Sequence, residues 1–141
     1  MLFLASDHAG FERKEVVKKY LKNQKIKFED LGTNDTKSVD FPIFAKKLCK
    51  KVLEDKQNKG ILICGSGIGM SICANRFKGI RAALCTTPEI AKLCREHNDA
   101  NVLVLQGRFG TDTNAKKMIK SFLTTKHLGG KYQRRMEMID E

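Results

Sequence analysis

The sequence has no tryptophan, no Cys-x-x-Cys pair, and no apolar run approaching the roughly 20 residues that span a bilayer. Since its five cysteines form no such pair and leave an odd one over, we expect reduced thiols and a cytoplasmic location. Residues Met1–Ser6 have no basic segment ahead of their apolar stretch, which predicts a first strand rather than a signal peptide. No association with a membrane is expected.

The net charge of +11 at first suggests a nucleic-acid ligand. The lysines alternate with apolar residues at helical spacing, which predicts solvated helix faces. They form three groups: Lys14, Lys18, Lys19 and Lys22; Lys46, Lys47, Lys50 and Lys51; and Lys116, Lys117 and Lys120. Because Tyr20 is the one aromatic residue interleaved among them, they lack the aromatic series that base stacking requires, and no nucleic-acid partner is expected. A positive field that attracts small phosphorylated substrates accounts for the same charge.

Short apolar runs alternate with helical patterns along the whole chain. The predicted strands are Leu2–Ser6, Ile26–Leu31, Gly60–Cys64, Arg81–Leu84 and Asn101–Leu105, and the predicted helices are Gly10–Asn23, Val39–Asp55, Gly69–Phe77, Pro88–Glu96 and Asp112–Thr124. Five strand–helix units predict a Rossmann-like three-layer α/β/α sandwich around a parallel sheet. We expect the strand order 2-1-3-4-5, with ligands above the carboxyl ends of the first and third strands.

A single domain is expected over residues 1–141. Gly129 and Gly130 are predicted to precede a C-terminal helix over about residues 130–141, in which Tyr132, Met136 and Ile139 share one face. Because so short a helix is unstable alone, we expect it to dock on its own domain or on a partner subunit.

The segment Cys64–Gly69 has the composition of an anion-binding loop. Glycines at alternate positions leave no Cβ to block a ligand, so several main-chain N–H groups can converge on an anion. The segment lacks the Gly-Lys-Ser/Thr ending of a Walker loop and the GxGxxG spacing of a dinucleotide fingerprint. The N-terminus of the following helix favours the thiolate of Cys64, for which a reactive role and a packing role remain equally open at this stage.

Two further polar segments lie beside strands. Asp7 and His8 follow the first strand, where Asp7 is suited to cap the first helix and His8 to face the same cleft as Cys64. His97 and Asn98 precede the last strand. They are interpreted either as part of an ordinary helix–strand connection or as acid–base groups that act on a sugar hydroxyl. The three histidines have neither HxH nor HxxxH spacing, so no metal site is expected.

Five motifs, taken in order, resemble ribose-5-phosphate isomerase B, a family that includes galactose-6-phosphate isomerase subunits. The motifs are Asp7-His8-Ala9-Gly10-Phe11, Val39-Asp40-Phe41-Pro42, Cys64-Gly65-Ser66-Gly67-Ile68-Gly69, Gly79-Ile80-Arg81-Ala82 and His97-Asn98-Asp99-Ala100-Asn101. Each is weak alone, but the ordered set is specific and covers nearly the whole chain. The resemblance implies an aldose–ketose isomerase of the pentose phosphate pathway that interconverts ribose 5-phosphate and ribulose 5-phosphate through an enediolate, without a cofactor.

The resemblance also implies residue roles. Cys64 is the base that moves the proton, and Ser66 with the amides of Gly65–Gly69 holds the enediolate oxygens. His97, helped by Asp7, opens the furanose ring. The residues implied to bind substrate are His8, Gly65, Gly67, Ile68, Gly69, Asn98, Phe41, Lys131 and Arg135, of which His8 and Arg135 bind phosphate. Lys131 stands where the family usually has arginine, and Phe41 where many relatives have tyrosine.

In this family the active site lies between two subunits. The resemblance therefore implies a homodimer, or a dimer of dimers, in which one copy supplies the loops after the first and third strands. The other copy supplies His97 and the C-terminal basic residues. An isomerase of a 6-phosphate hexose, such as allose or galactose 6-phosphate, is the alternative, and a non-catalytic nucleotide-binding module is a more distant one.

Overall fold

Strands and helices alternate along the chain as the hydrophobic pattern predicts. The computed structural model describes residues 1–141. Its elements are β1 (Leu2–Ser6), α1 (Phe11–Asn23), β2 (Phe28–Asp30), α2 (Phe41–Val52), β3 (Lys59–Cys64), α3 (Ile68–Ala74), β4 (Ala82–Leu84), α4 (Pro88–Asn98), β5 (Val102–Gln106), α5 (Asp112–Thr124) and α6 (Lys131–Ile139). A 3₁₀ turn, His8–Gly10, leads into α1. No helix combines the length and the apolar character that crossing a bilayer requires.

The five strands form one parallel sheet in the order β2-β1-β3-β5-β4. The predicted order 2-1-3-4-5 is therefore wrong for its last two strands. β5 lies beside β3, with Cys64 opposite Gln106, and β4 takes the edge. The cause is burial, because β5 is buried in all but its last residue whereas β4 is only half-buried throughout. A longer strand that is apolar on both sides gains more from a central position.

Alternate strand residues pack against helices on opposite faces of the sheet. Leu2 and Leu4 belong to a core shared with α1, α4 and α5, and Phe3 and Ala5 belong to a core shared with α2 and α3. This arrangement is the predicted three-layer sandwich.

One lysine of the predicted solvated faces is instead buried. Lys14 has no exposed surface, and its Nζ lies 2.6 and 2.7 Å from the two carboxylate oxygens of Asp30. Although burial opposes ionisation, hydrogen bonds from Lys14 and Lys18 hold the pKa of Asp30 below its ordinary value. The pair fastens α1 to the short edge strand β2.

The C-terminal helix α6 packs on α4 of its own chain. Met136 on its inner face is buried, and Asp140 at its end accepts a 2.6 Å hydrogen bond from Arg81. Ile139, predicted on the same face as Met136, is 64% exposed. Part of the apolar face of α6 therefore lacks a partner within the chain.

Candidate active site

The loop after β3 strongly favours glycine at position 67. Gly67 has φ +80°, and a Cβ there would lie 2.5 Å from Cδ1 of Leu84. Positive φ is readily accessible to glycine and strained for other residues. The turn carries the chain from Cys64, which is buried at the end of β3, directly into α3.

Three successive carbonyl groups of this loop point toward the last residue of β5 and the two residues that follow it. The carbonyl oxygens of Cys64 and Gly65 accept hydrogen bonds from the main-chain N–H groups of Gly107 (2.8 Å) and Arg108 (3.1 Å). The carbonyl oxygen of Ser66 accepts one from Nε2 of Gln106 at 3.0 Å. The conformation of the Cys64–Gly67 loop is therefore held by the end of β5 and the residues after it, and β5 is the neighbour of β3 in the sheet.

The N–H groups that follow these carbonyls face the other way. In a planar trans peptide the C=O and the next N–H point in opposite directions, so the N–H groups of Gly65, Ser66 and Gly67 turn away from β5. None of the three donates to an acceptor within the chain. Together they form a cradle of main-chain donors on the β1 side of Cys64, where an anion can bind.

The other predicted donors of the loop are partly engaged. The N–H of Ile68 donates to the hydroxyl oxygen of Ser66 at 3.2 Å, which leaves the Ser66 hydroxyl proton able to donate outward. A Cβ on Gly69 would lie 2.8 Å from the ring of Phe41, so the first residue of α2 packs directly on the start of α3. Phe41 thereby forms one wall beside the cradle.

Asp7 and His8 lie at the end of β1, next to β3. The N–H of Asp7 donates to the carbonyl of Ile63 at 3.2 Å, and its carboxylate accepts a 3.0 Å hydrogen bond from Gly10 N–H, capping the 3₁₀ turn. Nδ1 of His8 accepts a 3.1 Å hydrogen bond from the N–H of Val39. That bond places the proton of the neutral ring on Nε2, which can donate to an anion.

Arg108 is a functional candidate that the sequence analysis missed. Its side chain is exposed, makes no ion pair, and passes Gly65 so closely that a Cβ there would lie 3.6 Å from a guanidinium nitrogen. A signal was available in Gly107-Arg108 at the end of the last strand. Because the predicted strand order placed the last strand away from β3, Arg108 was not expected to lie near the loop after β3.

A second group of predicted residues surrounds Tyr132 on α6. The ring of Tyr132 stacks on the imidazole of His97, with centroids 4.4 Å apart and planes 6° from parallel. Nζ of Lys131 and Cζ of Arg135 lie 5.2 and 5.9 Å from the centre of the same ring. Asn98 is exposed beside His97. Tyr132, which the sequence analysis used only for packing, therefore holds an imidazole and two cations together.

The two groups do not meet within one chain. Cys64 and the cradle lie at the carboxyl edge of the sheet, whereas His97 lies in the last turn of α4, just before β5 begins at the amino edge. The five residues of β5 alone separate these edges by about 16 Å. Each group is thus a partial site on its own surface.

Two of the other thiols, Cys49 and Cys85, lie in surroundings that disfavour the thiolate. Burial, reinforced by nearby Cys73, raises the pKa of Cys49 to about 12. A hydrogen bond with Cys94, together with burial, raises the pKa of Cys85. Both therefore stay protonated near neutral pH. No three His, Cys, Asp or Glu side chains cluster as metal ligands would.

Comparison with known proteins adds an independent finding. A family model described as Ribose/Galactose Isomerase matches residues 2–139. Ribose-5-phosphate isomerase B of Escherichia coli K12 is 38% identical over 133 residues, covering 94% of this chain and 89% of its own. The crystal structure of a ribose 5-phosphate isomerase from Thermotoga maritima is 50% identical with a TM-score of 0.96, covering 99% of this chain and 96% of its own. Ribose-5-phosphate isomerase B from Mycoplasma genitalium with bound ribulose-5-phosphate is 40% identical with a TM-score of 0.94, covering 99% and 93%.

Proposed function

This chain belongs to the ribose/galactose isomerase family and is an isomerase of the ribose-5-phosphate isomerase B type, and we propose that Cys64 is the base that moves its substrate proton. The supporting observation is the position of the buried Cys64 directly before three main-chain N–H groups that have no acceptor in the chain. A base and an oxyanion cradle side by side are what an enediolate intermediate requires.

The proton balance of the proposed reaction is simple. The Cys64 thiolate takes the C2 proton of open-chain ribose 5-phosphate, and the electron pair forms the C1–C2 double bond of the enediolate. The cradle and the Ser66 hydroxyl stabilise the negative oxygen. The thiol then returns its proton to C1, while the O2 hydroxyl proton moves to O1 and leaves the ketone of ribulose 5-phosphate.

Substrate binding is proposed to involve two copies of the chain. Nε2 of His8 and the guanidinium of Arg108 supply donors for the substrate phosphate, in the same copy whose cradle holds the enediolate oxygen. His97, Arg135 and Lys131 of a second copy supply the ring-opening imidazole, assisted by Asp7 of the first copy, and further positive charge. The separation of the two groups at opposite edges of the sheet supports this arrangement, as does the exposed apolar side chain of Ile139. The homodimer, and a dimer of dimers, are part of the proposal.

The test is formation of ribulose 5-phosphate from ribose 5-phosphate by the wild type and two variants. Cys64→Ala is expected to lower kcat by about 10²- to 10⁴-fold, the usual share of a general base. Cys73→Ala is the matched control, because Cys73 is a half-buried thiol on α3 outside the cradle. Full activity of Cys64→Ala would assign the proton transfer to another group.

The substrate itself is tested with the same wild-type protein. The family description covers galactose isomerases, so allose 6-phosphate and galactose 6-phosphate are assayed beside ribose 5-phosphate. A higher kcat/KM for either hexose phosphate would replace the pentose as the preferred substrate. Turnover of none of the three would contradict the proposed reaction.

A further inference from the structure

Gln106 is the only side chain that holds a carbonyl of the cradle loop from β5. It is the last residue of β5, half-buried, and stands opposite Cys64 in the sheet. Its Nε2 donates to the carbonyl oxygen of Ser66 at 3.0 Å. The carbonyls of Cys64 and Gly65 are held by main-chain N–H groups instead, which almost any sequence provides.

The peptide between Ser66 and Gly67 precedes a glycine and is held on its carbonyl side by a side chain rather than by a main-chain N–H. Rotation of a peptide plane changes ψ of the residue before it and φ of the residue after it. Gly67 has φ +80° and no Cβ, so negative values of φ are also accessible to it. A flipped plane would turn the Ser66 carbonyl oxygen into the cradle and the Gly67 N–H out of it, replacing a donor by an acceptor.

We propose that Gln106 is a positioning residue that holds the Gly67 N–H toward the intermediate through its hydrogen bond to the Ser66 carbonyl. This inference rests on the proposed function, since it assigns a cause to the orientation of one oxyanion donor. The donor acts on the charge that develops in the reaction, so its orientation affects kcat more than KM.

The test compares Gln106→Met, which keeps the side-chain length and removes the donor, with Gln57→Met on an exposed loop at the other edge of the sheet. Gln106→Met is expected to lower kcat about five- to tenfold, the effect of one net hydrogen bond, with KM for ribose 5-phosphate unchanged. Gln57→Met is expected to match the wild type. An unchanged kcat in Gln106→Met, or a fall in kcat matched by an equal rise in KM, would overturn the inference.

A conservative variant separates positioning from packing. The carboxylate of Gln106→Glu cannot donate to a carbonyl, whereas its protonated form can. The kcat of Gln106→Glu relative to wild type is therefore expected to rise as the pH falls from about 8 to about 5.5, toward the range where a glutamic acid protonates. A ratio independent of pH would contradict the hydrogen-bonding role.

A measurement without substrate keeps this inference separate from the proposed reaction. The carbonyl ¹³C shift of Ser66 and the amide ¹H shift of Gly67, measured by NMR, are expected to change in Gln106→Met and not in Gln57→Met. If wild type fails to turn over ribose 5-phosphate, the reaction is wrong, yet these shifts still decide the role of Gln106. Unchanged shifts in Gln106→Met would overturn the inference.

Discussion

Mixing two inactive variants tests whether one active site is shared between two copies of the chain. Cys64 lies at the carboxyl edge of the sheet and His97 at the amino edge, and the length of β5 separates these two edges by about 16 Å. If both act on one substrate, they come from different chains. Cys64→Ala and His97→Ala are each expected to be inactive as homodimers, because each lacks one component at both sites.

The expected recovery follows from the symmetry of the dimer. In a mixed dimer, one site combines the two substituted residues and the other combines the two native ones. Random pairing at equal amounts makes half the dimers mixed, and half of their sites are intact, so about a quarter of the wild-type kcat should return. Purified mixed dimers should show about half.

The assay uses co-expressed chains with two different affinity tags. Mixed dimers are isolated through both tags, confirmed by native mass spectrometry, and assayed for ribulose 5-phosphate formation. Cys73→Ala paired with Cys64→Ala is the control. Each mixed dimer of this pair has one intact site and one site without Cys64, so half of the wild-type activity is expected. Confirmed dimers of Cys64→Ala with His97→Ala that remain inactive would refute the reasoning, because no intact site would then have formed across the interface.

Three further predictions concern stability and orientation. Gly67→Ala should lower the free energy of unfolding by about 2–4 kcal/mol, because it adds positive-φ strain and a steric clash with Leu84. Gly110→Ala is the control, because Gly110 has φ +74° and no atom within 4 Å of its Cβ position, and it should cost only the strain of about 1–2 kcal/mol. Equal losses for the two variants in urea unfolding would contradict the clash. Asp30→Asn should cost about 3–5 kcal/mol by leaving the buried Lys14 unpaired, and Lys14→Met on that background should recover part of it. Burial raises the pKa of Asp30, but hydrogen bonds from two lysines outweigh it and lower the pKa in the folded state below the ordinary value of 3.8. The contribution of Asp30 to stability is therefore complete above pH 3.8 and is lost as the pH falls through the lower folded-state pKa. Urea unfolding of Asp30→Asn at the same pH values should lack this dependence. The ring of Tyr132 stacks on His97, so Tyr132→Leu should lower kcat and shift the pH profile of kcat. Tyr132→Phe keeps the stacked ring and should change neither. Identical pH profiles for the two variants would show that stacking does not orient His97.

Much of the fold follows from local pattern. All five strands, and the helix that follows each of them, form where periodicity and end signals predict. In α4, Pro88 begins the helix and the Thr87 hydroxyl accepts from Ile90 N–H at 3.2 Å. These features depend on residues within one or two turns of each other. The cradle loop is likewise a local property, because Gly67 at positive φ and the strand ending at Cys64 are neighbours in the chain.

Relations between distant segments were harder to predict. The order of β4 and β5 depends on how whole strands compete for the buried centre of the sheet, which no short window of sequence encodes. From that one exchange follow the positions of Arg108 and Gln106 beside the loop after β3. Lys14 has the spacing of a solvated lysine and becomes buried only because Asp30 ends the neighbouring strand.

The alternation of strands and helices, the glycine loop after Cys64 and the ordered motifs of the family can all be read from the chain without its structure. Three features depend on long-range packing: the strand that lies beside that loop, the side chain that holds the Ser66 carbonyl, and the location of Cys64 and His97 at opposite edges of the sheet. The physical reason is that turns, caps and periodicity act between near neighbours, whereas sheet order and side-chain partners are settled by burial shared among segments far apart in sequence.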